Sequence, residues 1–188
     1  MELEQYLEMM AQAVRRIETA PIMELVDAIE KAYHDGQTVF LIGNGGSGAN
    51  ASHLCEDLGK GTLSDFEDQP RLRVISLTDN TPYILAWAND EGFERVFVEQ
   101  LKNFAASGDV VLAFSGSGNS ENVLRGIRYA KELGCITIGV VGYDGGRLKP
   151  MVDYCFHARV DDMQLTEDAH MVFVHVLLKL LHAGEGSC

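Results

Sequence analysis

Apolar runs of strand length alternate with helical segments from residue 38 to the last helix of the chain. The run Val110-Val111-Leu112-Ala113-Phe114 is apolar at every position, which is typical of a strand buried on both faces of a sheet. Strands that alternate with helices indicate a parallel sheet with helices on both sides. The sequence therefore predicts an α/β fold, a three-layer sandwich around a five-stranded parallel sheet, with strands at 38–42, 72–77, 109–115, 135–141 and 153–158.

Two amphipathic helices, 2–19 and 22–35, are predicted before the first strand. A minimal sandwich does not need both, so they form either a layer over the sheet or an arm that packs against another subunit. We favour the arm. The chain is then one domain, 1–188, with a helical arm at 1–36 and the α/β core and last helix at 37–188. The other predicted helices are 48–58, 81–88, 92–106, 119–133 and 163–182.

The formal charge of −13 argues against non-specific binding of nucleic acids, which requires lysine and arginine to replace counterions. It leaves an anionic small ligand open, because backbone amides and hydroxyl groups can hold phosphate without net positive charge. The acidic start of the chain, Met1-Glu2-Leu3-Glu4, has no basic region or apolar core of a signal peptide. No apolar run approaches the ~20 residues of a membrane-spanning helix, so no membrane association is expected.

The four cysteines show neither paired nor metal-binding spacing. We expect reduced thiols in a cytoplasmic protein, most of them in the core or without a role. The four are Cys55, Cys135, Cys155 and Cys188.

Two loops rich in glycine and serine each follow a predicted strand and precede a predicted helix. The first is Asn44-Gly45-Gly46-Ser47, with its helix starting near Gly48, and the second runs from Ser115 to Ser120, where Ser120 is a good N-cap. Amides at a helix N-terminus can cradle an anion, although each loop by itself is also consistent with an ordinary turn. Two such loops at the carboxyl ends of strands in one open sheet predict a ligand crevice.

Histidines and carboxylates recur at helical spacing in two helices. His53 is followed by Glu56 and Asp57 three and four residues later, and Glu167 precedes His175 by eight residues. Each helix can thus present one imidazole and one carboxylate on a face, a donor set that suits Zn²⁺ or a similar ion. The alternative is that these histidines are hydrogen-bonded core residues.

Three motifs of the chain resemble those of a sugar isomerase (SIS) domain, and within that family the chain is most similar to phosphoheptose isomerases. They are Asn44-Gly45-Gly46-Ser47, Ser115-x-Ser117-Gly118-Asn119-Ser120 and Tyr143-Asp144-Gly145-Gly146. The resemblance implies a flavodoxin-like sheet and a homotetramer with active sites shared between subunits. It also implies that phosphate is held by Ser47, Ser115, Ser117 and Ser120, that the first loop positions the sugar, and that Asn89 and Asp90, in a break between helices, meet substrate hydroxyls.

The resemblance further implies one zinc ion per active site, held by His53, Asp57, Glu167 and His175. The family has glutamate and glutamine at the positions of Asp57 and Glu167, so this chain departs from the pattern at two ligands. We hypothesise that Glu167 has taken over acid–base work from Asp57, with His175 as its partner. Glu56 is an alternative ligand. Gly116 stands where the isomerases usually carry threonine, which removes one hydroxyl beside the substrate.

These features favour an enzyme, a metal-assisted aldose–ketose isomerase acting on a phosphorylated sugar. The expected reaction converts D-sedoheptulose 7-phosphate into D-glycero-D-manno-heptose 7-phosphate through an enediol. The alternative is a non-catalytic SIS protein that binds a sugar phosphate or regulates a partner, like the bacterial replication-initiator-associating factor. Retention of His53 and His175 favours the enzyme. A nucleotide-binding domain is a weak third interpretation, since neither loop fits the dinucleotide fingerprint.

Overall fold

The computed structural model of the protein describes residues 2–184, with side chains to residue 181; Met1 and Cys188 lie outside these residues. Two helices come first, α1 (Leu3–Arg15) and α2 (Ala20–His34). The strands are β1 (Thr38–Gly43), β2 (Arg73–Ser76), β3 (Val110–Ser115), β4 (Ile136–Val141) and β5 (Tyr154–His157). The later helices are α3 (Gly45–Glu56), α4 (Thr81–Asp90), α5 (Val98–Phe104), α6 (Glu121–Leu133) and α7 (Met163–Gly184).

The five strands form one parallel sheet in the order β2-β1-β3-β4-β5, which confirms the predicted α/β class and the flavodoxin-like sheet. Val39 of β1 is in register with Val110 of β3, and Val110 with Ile136 of β4. Strand order reverses between β1 and β3, and ligands of open α/β sheets bind in the crevice at such a point. Both glycine-rich loops begin there, one after β1 and the other after β3.

Apolar side chains from the two faces of the sheet enter two separate core layers. In β1, Val39 and Leu41 pack with α2, α3 and α7, whereas Phe40 and Ile42 pack with α5 and α6. All four are buried, as the continuous apolar pattern of this strand predicts. The result is the expected three-layer sandwich.

The two N-terminal helices differ in their contacts. α2 buries Ile22, Leu25 and Ile29 in the core, so it covers the sheet, as the first alternative expected. α1 lies on α7, where the Tyr6 hydroxyl donates a hydrogen bond to Asp168. Leu3 and Leu7 of α1 are 67% and 57% exposed, so this helix retains an apolar surface.

Three boundary predictions were wrong. The helix predicted at 92–106 is divided into a 3-10 turn, Phe93–Arg95, and α5, which begins at Val98. α3 begins at Gly45 rather than near Gly48, because the Gly48 N–H donates to the Asn44 carbonyl and closes a first turn that includes Gly45, which itself has φ +54°. Asn89 and Asp90 belong to the last turn of α4 rather than to the break, which starts after them at Glu91. α3 also continues directly into a π-helical turn, Asp57–Gly61, a distortion that is frequent at functional sites.

Cys55, Cys135 and Cys155 are free thiols. Burial raises the pKa of Cys135 and of Cys155 to about 11, which disfavours the reactive thiolate at neutral pH. Among the helices of residues 2–184, none has the length and apolar character that a membrane span requires.

The imidazole of His170 is enclosed in the core between α7 and the sheet. It is 0% exposed, and its ring lies 6.0 Å from that of Phe114 and 6.2 Å from that of Phe156, measured between centroids. Burial lowers the pKa of His170 to about 4, because the charged form would lose its hydration. The folded protein therefore holds this ring neutral.

This burial predicts acid lability. Between about pH 6.5 and 4 the unfolded chain binds a proton at residue 170 and the folded chain does not. The free energy of unfolding therefore decreases as the pH is lowered, by about 2 kcal/mol at pH 5 relative to neutral pH. In His170→Leu this part of the loss between pH 7 and pH 5 should vanish, whereas His34→Leu, at an exposed histidine, should keep it. Urea unfolding at both pH values measures the difference, and an equal loss in His170→Leu and the wild type would contradict the assignment.

Candidate active site

The two glycine-rich loops are held together by a reciprocal pair of amide hydrogen bonds. Asn44 Nδ2 donates to Asn122 Oδ1 at 2.9 Å, and Asn122 Nδ2 donates to Asn44 Oδ1 at 2.8 Å. Asn122 is 2% exposed, and its Oδ1 also accepts the backbone N–H of Val123. A buried amide pair satisfied in both directions fixes the N-terminus of α3 against that of α6.

The turn at Tyr143–Gly146 and its neighbouring residues contact the backbone of the second loop. The Leu148 N–H donates to the Gly118 carbonyl at 2.9 Å, and the Gly142 N–H donates to the Gly116 carbonyl at 2.9 Å. Gly118 has φ +64°, and a Cβ there would overlap the carbonyl oxygen of Gly145. The third motif, Tyr143–Gly146, thus shapes the second loop, Ser115–Ser120, which we call the serine loop. Residue 118 must be glycine for this loop to approach the Tyr143–Gly146 turn so closely.

The loops enclose a cavity of about 280 Å³, which we call the serine cavity. It brings together all the predicted substrate-binding residues except Asn89 and Asp90. Its lining residues are Asn44, Gly45, Gly46, Ser47, Phe114, Ser115, Gly116, Ser117, Ser120, Met163 and Glu167.

Hydroxyl groups and helix termini make the serine cavity suitable for an anion. In the part of the chain that the structure describes, the buried Oγ of Ser115 has no hydrogen-bond partner. Ser120 takes the N-cap position of α6, but its side chain makes no capping bond, so its hydroxyl is not used within the helix. The first turn of α3 and Ser120, the N-cap residue of α6, line this cavity, and the unpaired N–H groups at a helix N-terminus carry the positive end of the helix dipole.

Glu167 lies directly over the first turn of α3. A Cβ on Gly46 would overlap the Glu167 carboxylate, so glycine at position 46 is what lets this side chain approach the helix N-terminus. Asn50 Nδ2, one turn further along α3, donates to the Glu167 carbonyl at 3.0 Å. The start of α7 is thereby fixed alongside the start of α3, and a half-buried carboxylate borders the serine cavity.

A second cluster lies further along the same two helices. His53 Nε2 is 3.3 Å from His175 Nε2 and 3.4 Å from Asp57 Oδ2. Asp57 Oδ2 is buried and, among the described residues, accepts no hydrogen bond. One ligand atom from each of the three side chains lies within 4.8 Å of the others. We call this group the histidine cluster; it could hold a divalent ion, as its imidazole and carboxylate donors suit one.

The structure places Glu167 apart from the histidine cluster. Gly46 and His53 are seven residues apart on α3, and Glu167 and His175 are eight apart on α7, which corresponds to about 10–12 Å at 1.5 Å per helical residue. The cluster contains Asp57 rather than the exposed Glu56, so the geometry favours Asp57 as the candidate ligand. One chain brings together three of the four predicted metal ligands, and the role of Glu167 as a ligand stays a prediction.

Asn89 and Asp90 are exposed at the end of α4, where Asn89 Nδ2 donates to Asp90 Oδ1 at 2.7 Å. Their predicted contact with substrate hydroxyls stays a prediction. Sequence reasoning missed Asn122 and Met163. A polar Asn122 within the apolar stripe of α6 was a signal for a buried hydrogen-bonded amide, whereas nothing in the sequence marked Met163.

The comparisons with known proteins agree with this geometry. Residues 5–142 match the SIS domain family. A phosphoheptose isomerase of Trichlorobacter lovleyi is 36% identical over 88% of this chain and 83% of its own length, and a probable phosphoheptose isomerase of Thermoplasma acidophilum is 35% identical over 96% and 98%. The solved structure of a phosphoheptose isomerase from Francisella tularensis superposes with a TM-score of 0.88 at 28% identity, over 96% of each chain. The chain therefore belongs to the SIS domain family and, within it, to the phosphoheptose isomerases.

Proposed function

We propose that this protein is an aldose–ketose isomerase that converts D-sedoheptulose 7-phosphate into D-glycero-D-manno-heptose 7-phosphate. The observation that carries the proposal is the serine cavity at the β1–β3 switch point. Relatives that match most of the chain are named as phosphoheptose isomerases, so the alternative of a non-catalytic binding protein is not favoured. Incubation of the purified protein with the ketose phosphate, followed by detection of the aldose phosphate, tests the proposal directly.

The serine cavity holds the phosphate group in this proposal. Ser47, Ser115, Ser117 and Ser120 supply hydroxyl groups, and the N-termini of α3 and α6 supply N–H donors. These groups compensate a phosphate charge locally, although the protein as a whole carries −13. Asn44, Gly45 and Gly46 position the sugar beside the phosphate, and Asn89 and Asp90 bind its hydroxyl groups.

Isomerisation requires one group that moves a proton between C1 and C2 and another that exchanges protons with the two oxygens. A base removes the proton from C1 of the ketose while O2 gains one, which gives the enediol. C2 then gains a proton and O1 loses one. Glu167 is our candidate for the carbon-bound proton; because the Glu167 of the same chain borders the cavity that holds the C7 phosphate, a second subunit would supply the one that reaches C1 and C2. His175 and Asp57 serve the oxygens.

We propose that the histidine cluster holds Zn²⁺ or another divalent ion. The fit rests on two imidazole nitrogens and a buried carboxylate oxygen without a hydrogen bond, all converging within 4.8 Å among the described side chains. Catalytic zinc sites commonly have three protein ligands and one open position. A divalent ion held by these residues would supply stabilisation of negative charge that develops on the sugar oxygens.

A homotetramer with shared active sites would reconcile the positions of Glu167 and the histidine cluster. Within one chain about 10–12 Å of helix separates their backbones, so we propose that a second subunit supplies the Glu167 that acts beside each histidine cluster. The exposed side chains of Leu3, Leu7 and Val176 are apolar surface that a subunit contact would bury. A sugar phosphate substrate and three free thiols fit a cytoplasmic enzyme.

The first prediction from the proposed function concerns the divalent ion. The wild type should bind one Zn²⁺ per chain, and His53→Ala should weaken binding on the order of 100-fold or more, because loss of a direct ligand should cost at least as much as loss of an outer-shell partner. Calorimetric titration of metal-depleted protein measures this. The exposed His34→Ala is the matched control and should bind as the wild type does. Equal affinity in His53→Ala would contradict the site.

The second prediction concerns Glu167. Glu167→Gln should lower kcat by about 100-fold or more with KM changed little, since general acid–base groups contribute about 10²–10⁴ in rate. Asp168→Asn is the matched control, because Asp168 is the next residue on α7 and faces Tyr6 of α1. Steady-state kinetics of both variants separate the two effects. Unchanged turnover in Glu167→Gln would refute the proposed role.

The third prediction concerns the phosphate-binding loop. Ser117→Asp should lower the affinity for sedoheptulose 7-phosphate by about 100-fold or more, because like charges brought together at an interface cost several kcal/mol. Ser64→Asp adds the same charge on the exposed loop before β2 and should bind normally. Calorimetry with each variant provides the comparison, and retained affinity in Ser117→Asp would show that phosphate binds elsewhere.

A further inference from the structure

Met163, the first residue of α7, fills the space beside Gly116 in the serine loop. A Cβ on Gly116 would lie 2.6 Å from Met163 Sδ and 3.3 Å from its Cε. The thioether in this position and a side chain at residue 116 therefore exclude each other. Thr166 Cγ2, at 3.5 Å from the same point, would make only an ordinary contact, so the conflict is with Met163.

Met163 also lines a second, larger cavity of about 970 Å³, which Ser117 and Asn119 of the serine loop border as well. Ser117 and Met163 line both cavities, so the thioether stands at the boundary between them. The larger cavity is polar, with Asn119, Asp144, Lys149 and Asp161 among its lining residues. Lys149 Nζ lies 3.1 Å from His157 Nδ1, and the Tyr143 carbonyl accepts a hydrogen bond from His157 Nε2 at 3.0 Å.

We propose that Met163 is a specificity-determining residue that limits the serine cavity to phosphate monoesters. A monoester carries one organic group, which extends from the serine cavity toward the first loop, Asn44–Ser47. A diester carries a second group, and Met163 stands where that group would pass into the larger cavity. A thioether is at best a weak hydrogen-bond acceptor, so it cannot compensate a polar group pressed against it. This inference rests on the proposed phosphate-binding role of the serine cavity.

The contrast between the two cavities supports the assignment. Asp144 and Asp161 offset Lys149 in the larger cavity, and the Arg159 guanidinium is paired with Glu18 at 2.8 Å, so its lining suits hydroxyl groups better than a second anion. Without the Met163 side chain, the larger cavity would become continuous with the serine cavity and could receive the second organic group of a diester.

The test compares the affinities of a monoester, glycerol 1-phosphate, and a diester, glycerophosphoglycerol, by calorimetric competition. The wild type should prefer the monoester by about 20-fold or more. Met163→Ala should reduce that preference to less than about fivefold, whereas Met163→Leu, which keeps the volume, should retain it. Preference retained in Met163→Ala, or absent in the wild type, would overturn the proposal.

Gly116 provides an independent check on the same contact. In Gly116→Ala the added methyl group must displace the thioether, so the monoester preference should change at least threefold. In Gly116→Ala/Met163→Ala the methyl group should have no further effect, because the atom it meets is gone. Additive effects would contradict a direct contact. Because these are binding measurements, a wild type that binds the monoester selectively but does not isomerise the ketose phosphate would sink the proposed reaction and leave the role of Met163 standing.

Discussion

The packing of α3 alongside α7, in the same direction, is the constraint on which the candidate site depends. Gly46, Asn50, His53 and Asp57 recur at intervals of three and four residues and so form one face of α3 and its π-helical extension. That face meets α7 at three levels: the Glu167 carboxylate over Gly46, the Glu167 carbonyl on Asn50, and His175 beside His53. A shift of one helix along the other would separate all three contacts together.

The sheet fixes where this helix pair stands. β1 leads directly into α3, and β3 leads into α6, at the point where strand order reverses. The Asn44–Asn122 hydrogen-bonded pair fixes the N-termini of these two helices relative to each other. The positive ends of two helix dipoles, rather than lysine or arginine, face the serine cavity. An acidic protein can bind an anion in this way because a helix terminus acts over the distance of a single turn, whereas the net charge is distributed over the whole surface.

Much of this arrangement could be predicted from the sequence, because it depends on local patterns. Continuous apolar runs identified the buried strands, and strand–glycine–helix junctions identified the two loops. The contact between Gly116 and Met163 could not be predicted, since 47 positions separate them and a methionine can adopt many conformations. The start of α3 was placed too late because glycine has a low intrinsic helix propensity, which the buried packing of Ser47 and Gly48 overrides.

The position of Glu167 shows why spacing in sequence does not by itself define a site. Glu167 and His175 are two turns apart, so both face α3, and helical periodicity alone suggested that they act together. The same rise that keeps them on one face also places them at opposite ends of the contact with α3. The carboxylate therefore borders the serine cavity, and the imidazole lies beside Asp57 and His53. Any mechanism that uses both must bring a substrate, or a second chain, across that distance.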